Sequence, residues 1–199
     1  MRILIVGDSG TVGKAAAAEL GRRHDIIRAG RSSGDLIVDA MREESVKAMY
    51  AKLGKVDAIV TCLGHVHFGP VATMSPEQFR IGLNDKLMGQ VNLFLLGMNN
   101  VNDNGSFTLT SGILDRDPVR AGANAAAVNG AIGAFVKGAA IEMPRGLRIN
   151  AVSPGLLEDS AAKYDGFFPG HEPVSSARVG LAYAKSVEGA LTGQVICVG

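Results

Sequence analysis

Apolar residues recur along this chain in two rhythms. Short uninterrupted runs such as Ile3-Leu4-Ile5-Val6 alternate with stretches in which apolar residues return at helical spacing, as Val46, Met49, Tyr50 and Leu53 do. The first pattern marks strands buried on both faces, the second amphipathic helices. Strands are therefore expected at residues 2–6, 24–29, 35–38, 56–62, 105–110, 146–152 and 194–198. Helices are expected at 11–22, 43–53, from 76 to about 99 with a bend, 118–143, and within 172–189. Ser75-Pro76-Glu77-Gln78 is a helix start in which serine caps, proline takes the first turn, and acid and amide follow.

Strands separated by helices must be joined by parallel crossovers. The fold class is thus α/β, a Rossmann-type doubly wound parallel sheet of about seven strands, and 199 residues make one such domain. The least regular segment, 156–173, holds Tyr164, Phe167, Phe168, Pro169 and Gly170. It reads either as a mobile lid over a pocket or as an ordinary connection.

Composition narrows the function. A formal net charge of +1 argues against nucleic acid or an anionic membrane as the main partner. Apolar runs fall short of the ~20 residues that cross a bilayer, and no export signal is visible, so the cytoplasm is expected. Two cysteines, Cys62 and Cys197, have neither metal-ligand spacing nor the number for a disulfide framework, which fits a reducing compartment and no bound metal.

The chemistry begins at Gly7-Asp8-Ser9-Gly10-Thr11-Val12-Gly13, between the first strand and the first helix. Gly7 allows a tight turn, Gly10 lets a diphosphate approach the backbone, and Gly13 lets helix and strand pack closely. The helix N-terminus supplies free N–H groups and a positive dipole end, and the Ser9 and Thr11 hydroxyls add donors. A P-loop is rejected because Ala15 follows Gly13-Lys14 where a Mg²⁺-binding hydroxyl belongs. After the second strand, where an NAD-selective domain carries an acid, this chain has Arg31-Ser32-Ser33. A guanidinium with two hydroxyls suits a 2′-phosphate, favouring NADP over NAD. Asp8 is a nearby acid that could oppose that phosphate.

With these residues in view, the whole chain resembles the short-chain dehydrogenase/reductase family. Asp39-Ala40 matches the family's adenine-contacting position. Thr61-Cys62-Leu63-Gly64 stands where the family has Asn-Asn-Ala-Gly, with Leu63 and Gly64 beside the cofactor. Arg148-Ile149-Asn150-Ala151-Val152-Ser153-Pro154-Gly155 matches the strand and the Pro-Gly turn that flank the nicotinamide, and Thr192-Gly193-Gln194-Val195 matches the terminal strand. The two-residue gaps between the glycines are nearer the extended and atypical branches.

The family's catalytic set carries over only in part. Ser111 falls at or next to the catalytic serine. The Tyr-x-x-x-Lys register puts Ala125 at the tyrosine and Asn129 at the lysine, and no tyrosine lies in residues 118–143. Counting along the preceding helix puts Lys86 at the family's catalytic asparagine. Lysine and asparagine are thus expected to have exchanged places on two facing helices, with Lys86 reaching the nicotinamide region from the opposite wall. The plainer alternative makes Lys86 a surface charge and Asn129 a packing amide. His65, His67 and Tyr164 are the candidates for a replacement proton donor.

Two functions follow. One is NADP(H)-dependent reduction of a carbonyl, or oxidation of an alcohol, on a small-molecule substrate. The other is a non-catalytic NADP-binding sensor or scaffold. The long helix is rich in small residues (Ala123, Ala127, Gly130, Ala131, Ala134, Gly138), which the resemblance associates with a homodimer or homotetramer interface.

Overall fold

A computed structural model describes all residues, 1–199. Strands form at Arg2–Val6 (β1), Asp25–Gly30 (β2), Leu36–Ile37 (β3), Val56–Thr61 (β4), Val101–Thr110 (β5), Arg148–Pro154 (β6) and Val195–Val198 (β7). All pair in parallel in the order β3-β2-β1-β4-β5-β6-β7. From β1 the chain runs outward to β3, then returns to β4 and runs the other way. The carboxyl ends of β1 and β4 therefore border the crevice where the strand order reverses, the ligand position of open α/β sheets.

The helices are Thr11–Leu20 (α1), Glu43–Leu53 (α2), Pro76–Gly82 (α3), Gly89–Gly97 (α4), Ala123–Ala140 (α5), Glu158–Ala161 (α6) and Ser176–Glu188 (α7). Alternate residues of β1 serve opposite cores: Leu4 and Val6 pack with α2, α4 and α5, Ile3 and Ile5 with α1 and α7. A period of two with both faces covered is why β1 reads as an unbroken apolar run. Phe94 of α4 stands edge-on to Phe107 of β5 at 4.9 Å and to Phe135 of α5 at 5.4 Å, locking one layer. No helix is long and apolar enough to cross a membrane.

The boundaries differ from expectation in informative places. The Ser75 start is a full capping box: Ser75 Oγ accepts from Gln78 N and Gln78 Oε1 accepts from Ser75 N. The expected bend after it is a π-helical turn, Leu83–Met88, between α3 and α4. The helix expected from residue 118 begins only at Ala123, because Ala121 has φ 63° and cannot continue a right-handed helix. β5 begins at Val101 rather than 105, and a register shift between Val56 and Ala58 absorbs the extra residues. β6 extends to Pro154, which pairs with Val198.

Two residues of the segment 148–155 prove architectural. Arg148 donates from Nη1 and Nη2 to the carbonyls of Ser186 and Val187, satisfying the last turn of α7. Asn150 donates to the Leu191 carbonyl and accepts from Gln194 N, which sets the turn into β7.

Candidate active site

The glycine turn separates its three glycines by function. A Cβ on Gly13 would lie 2.1 Å from the Gly7 carbonyl oxygen, and one on Gly7, where φ is 88°, would lie 2.7 Å from the Cys62 carbonyl oxygen. These two are closed by the protein's own backbone. A Cβ on Gly10 would meet only the Gly7 oxygen, at 3.6 Å, so its side faces open space. Gly10 also begins α1 without any side-chain cap, leaving the first-turn amides of Thr11, Val12 and Gly13 without intrahelical acceptors. Bare amides, a helix dipole and an open approach are the donor set a diphosphate needs. Ser9 is exposed beside them.

Gly10, Thr11 and Val12 open onto a cavity of about 340 Å³ that also touches Leu63, Gly64, Ser111, Pro154 and Gly155. The cavity thus joins the carboxyl ends of β1, β4, β5 and β6. Lys86, Ala125 and Asn129 line the same space. Lys86 Nζ donates to Asn129 Oδ1 at 2.7 Å and to the Ser111 carbonyl at 2.9 Å. The Ser111 hydroxyl donates to the Asn129 carbonyl at 2.9 Å. Lys86 is therefore no solvated surface charge, and Asn129 is its acceptor on the facing helix. Burial pushes the Lys86 ammonium down to about 8, and the charge of Asp115 opposes that shift.

The π-helical turn explains how Lys86 gets there. Its wider coil advances the side chains between α3 and α4, and such turns recur at functional sites. The turn packs so tightly on the loop after β4 that a Cβ on Gly64, where φ is 137°, would lie 2.3 Å from Lys86 Cγ. Gln90, one turn further and fully buried, donates to the Lys86 carbonyl at 3.1 Å and the Thr110 carbonyl at 2.9 Å. Its Oε1 accepts from Thr61 Oγ1 and Thr110 N. Every polar atom of Gln90 is matched, so the turn is riveted to the ends of β4 and β5.

The expected proton donors separate. His65 and His67 do not line the cavity. Their loop is held by backbone amides instead, His65 N donating to Asp85 Oδ1 at 2.8 Å and His67 N to Asn124 Oδ1 at 2.9 Å. Tyr164 does line it, carried by a 3-10 turn, Ala162–Tyr164, after α6. The segment expected as a lid is tied to the glycine turn by Ser160 Oγ, which donates to Thr11 Oγ1 at 3.2 Å.

The far end lies outside this cavity. Arg31, Ser32 and Ser33 are exposed after β2. Asp8, the acid that could oppose a 2′-phosphate, has its carboxylate 3.8 Å from Arg28 Nε. The acid that meets Arg31 is Asp85, at 3.4 Å from Nη2. Asp39 accepts from Met41 N at 3.2 Å and so shapes its own turn, while Ala40 is buried next to it.

Asp85, Gln90 and Asn124 are therefore supporting residues that sequence reading passed over. Asn124 is fully buried and also donates to the Phe79 carbonyl at 2.6 Å, joining α5, α3 and the His67 loop. The available signal was an amide at a core-facing helical position, since buried polar groups need partners.

Comparisons with known proteins agree with this geometry. A family model described as enoyl-(acyl carrier protein) reductase matches residues 5–186. No curated protein matches the sequence. Among solved structures, protein lin1944 from Listeria innocua is 50% identical over 100% of both chains, with TM-score 0.98. A small-chain dehydrogenase is 28% identical over 100% of this chain and 95% of its own, with TM-score 0.85. A small-chain dehydrogenase in complex with NADPH is 27% identical over 100% of this chain and 96% of its own, with TM-score 0.87. With the sheet order, the glycine turn and the family match over most of its length in agreement, the chain belongs to the short-chain dehydrogenase/reductase family of oxidoreductases.

Proposed function

We propose that this protein is an NADP(H)-dependent oxidoreductase that reduces a small carbonyl compound or oxidises the corresponding alcohol, with Lys86, Asn129 and Ser111 forming its polar centre. The observation that carries this reading is the Lys86 ammonium bridging Asn129 and the Ser111 carbonyl inside the cavity that the glycine turn opens onto. Gly10, Thr11 and Val12 would hold the diphosphate, Leu63, Gly64, Pro154 and Gly155 would bound the nicotinamide, and Asp39 and Ala40 would border the adenine. When bound, NADPH supplies the hydride. The chain's own part is to orient, exclude water and move a proton. An ammonium has three N–H groups; Asn129 and Ser111 take two, and the third is free to donate to the reacting oxygen. A relative in complex with NADPH supports the cofactor assignment.

Calorimetry with NADPH and NADH tests the cofactor, and a screen of carbonyls, quinones and flavins for NADPH oxidation tests the reaction. The lack of tyrosine in α5 favours one other reading, a binding-only sensor. Tight NADPH binding with no oxidation by any acceptor would establish it instead.

Cofactor choice rests on the Arg31 loop. Arg31→Ala is expected to weaken NADPH binding about tenfold or more and leave NADH binding unchanged, since one charge-assisted contact to a phosphate is worth about 1.5–3 kcal/mol. Asp85→Asn should strengthen NADPH binding a few-fold, by freeing Arg31 while an amide oxygen still accepts from His65 N. Calorimetry on both variants checks the pair.

We further propose a homo-oligomer. Ala123, Ala127, Ala134 and Gly138 leave one side of α5 exposed, and Leu95 of α4 is 53% exposed. Sedimentation at several concentrations should show a dimer or tetramer that Ala134→Glu dissociates to monomer.

A further inference from the structure

The walls of the cavity are unequal. Of the residues around it, Lys86 alone carries a charge. Three of the hydroxyls that line it are engaged inside the protein. Thr110 Oγ1 donates to the Thr61 carbonyl, Ser111 Oγ to the Asn129 carbonyl, and Ser160 Oγ to Thr11 Oγ1. What remains for a substrate's polar atoms is the third N–H of Lys86, the Asn129 Nδ2 amide and the Tyr164 hydroxyl.

Much of the rest of the space is lined by carbon. Phe68, from the loop after β4, meets Tyr164, from the segment after α6, with ring centroids 6.3 Å apart. Tyr164 in turn stands edge-on to Phe168 at 5.9 Å. The three rings form an aromatic wall drawn from two separate loops. On α5, Ala125 presents only a methyl one helical turn before Asn129, so the floor is flat and apolar beside the polar centre.

From this arrangement we propose that the substrate is a flat, conjugated carbonyl compound, an aryl ketone or aryl aldehyde, whose ring lies against Phe68, Tyr164 and Phe168 while its carbonyl oxygen accepts from Lys86. This rests on the oxidoreductase reading above and adds the substrate class to it. A sugar or polyol fits less well, because the hydroxyls it turns toward the rings would be desolvated without a partner. A flat ring gains both the apolar burial and the edge-to-face contacts that aromatic pairs prefer.

The test is binding without turnover. 2-Acetylnaphthalene and dihydroxyacetone are titrated into the protein saturated with NADP⁺, where a ketone cannot be reduced, and binding is followed by saturation-transfer NMR. The same titrations are run on the cofactor-free chain. 2-Acetylnaphthalene should bind at least about tenfold more tightly than dihydroxyacetone. Phe168→Ala and Phe68→Leu should each weaken it about fivefold while NADP⁺ binding stays constant. Lys86→Met should weaken 2-acetylnaphthalene but leave naphthalene unchanged. Equal or tighter binding of dihydroxyacetone, or indifference to both ring substitutions, would overturn the proposal. Loss of NADP⁺ binding in the unaltered protein would overturn the oxidoreductase reading instead, and the ring preference of the cofactor-free chain would still decide the substrate class.

Discussion

Lys86→Met is expected to lower carbonyl reduction by about 10²–10⁴-fold, the usual contribution of a positioned general acid. The protein should remain folded, because methionine keeps the apolar stem that packs against Gly64 and removes only the ammonium. Its loss does leave Asn129 Oδ1 without its hydrogen-bond donor, which costs about 1–3 kcal/mol in stability. The pH profile supplies an independent reading. With Lys86 held near 8, reduction needs the ammonium and falls as pH rises through about 8, whereas alcohol oxidation needs the free amine and rises over the same range. Both inflections should vanish in Lys86→Met. Steady-state rates from pH 6 to 10, on the unaltered and substituted proteins, check the size and the sign together. A profile flat through this range with the unaltered protein would remove Lys86 from proton transfer.

Gly13→Ala is expected to abolish dinucleotide binding and to cost about 3 kcal/mol or more in stability. The added carbon would stand 2.1 Å from a backbone oxygen of the same turn, and no side chain is there to move aside. The turn or α1 must shift by more than an ångström, which overpacks the junction with β1. Gly10→Ala is the control: its Cβ meets nothing closer than 3.6 Å, so stability should be kept while NADPH affinity falls. Urea melts and calorimetry on the two variants separate fold damage from obstruction of the diphosphate. Equal stability for both would refute the division of labour among these glycines.

Much of this was visible in the residues. The seven parallel strands follow from apolar runs separated by helical periods, because a strand covered on both faces has no polar side to show. The Ser75 capping box was visible because its partners are three residues apart. The placing of Lys86 against Asn129 came from register with a family motif. The residues that hold it there did not. Asp85 meets Arg31 across 54 positions, and Gln90 reaches Thr61 across 29. Nothing local in either segment announces the other. The histidines mislead for the same reason: their side chains looked like acids on a loop, yet it is their amides that the structure uses.

The order of elements, the two-sided core, the glycine turn and the absence of a tyrosine from α5 were determined by the sequence alone, since each depends on residues within a few positions of one another. Only the tertiary structure decided that a π-helical turn carries Lys86 into the cavity, that Asp85 meets Arg31 while Asp8 lies by Arg28, and that rings from two loops close over a pocket whose one charge is Lys86. Long-range hydrogen bonds and burial depend on which segments the sheet brings side by side, and that is a property of the packed chain, written in no single stretch of it.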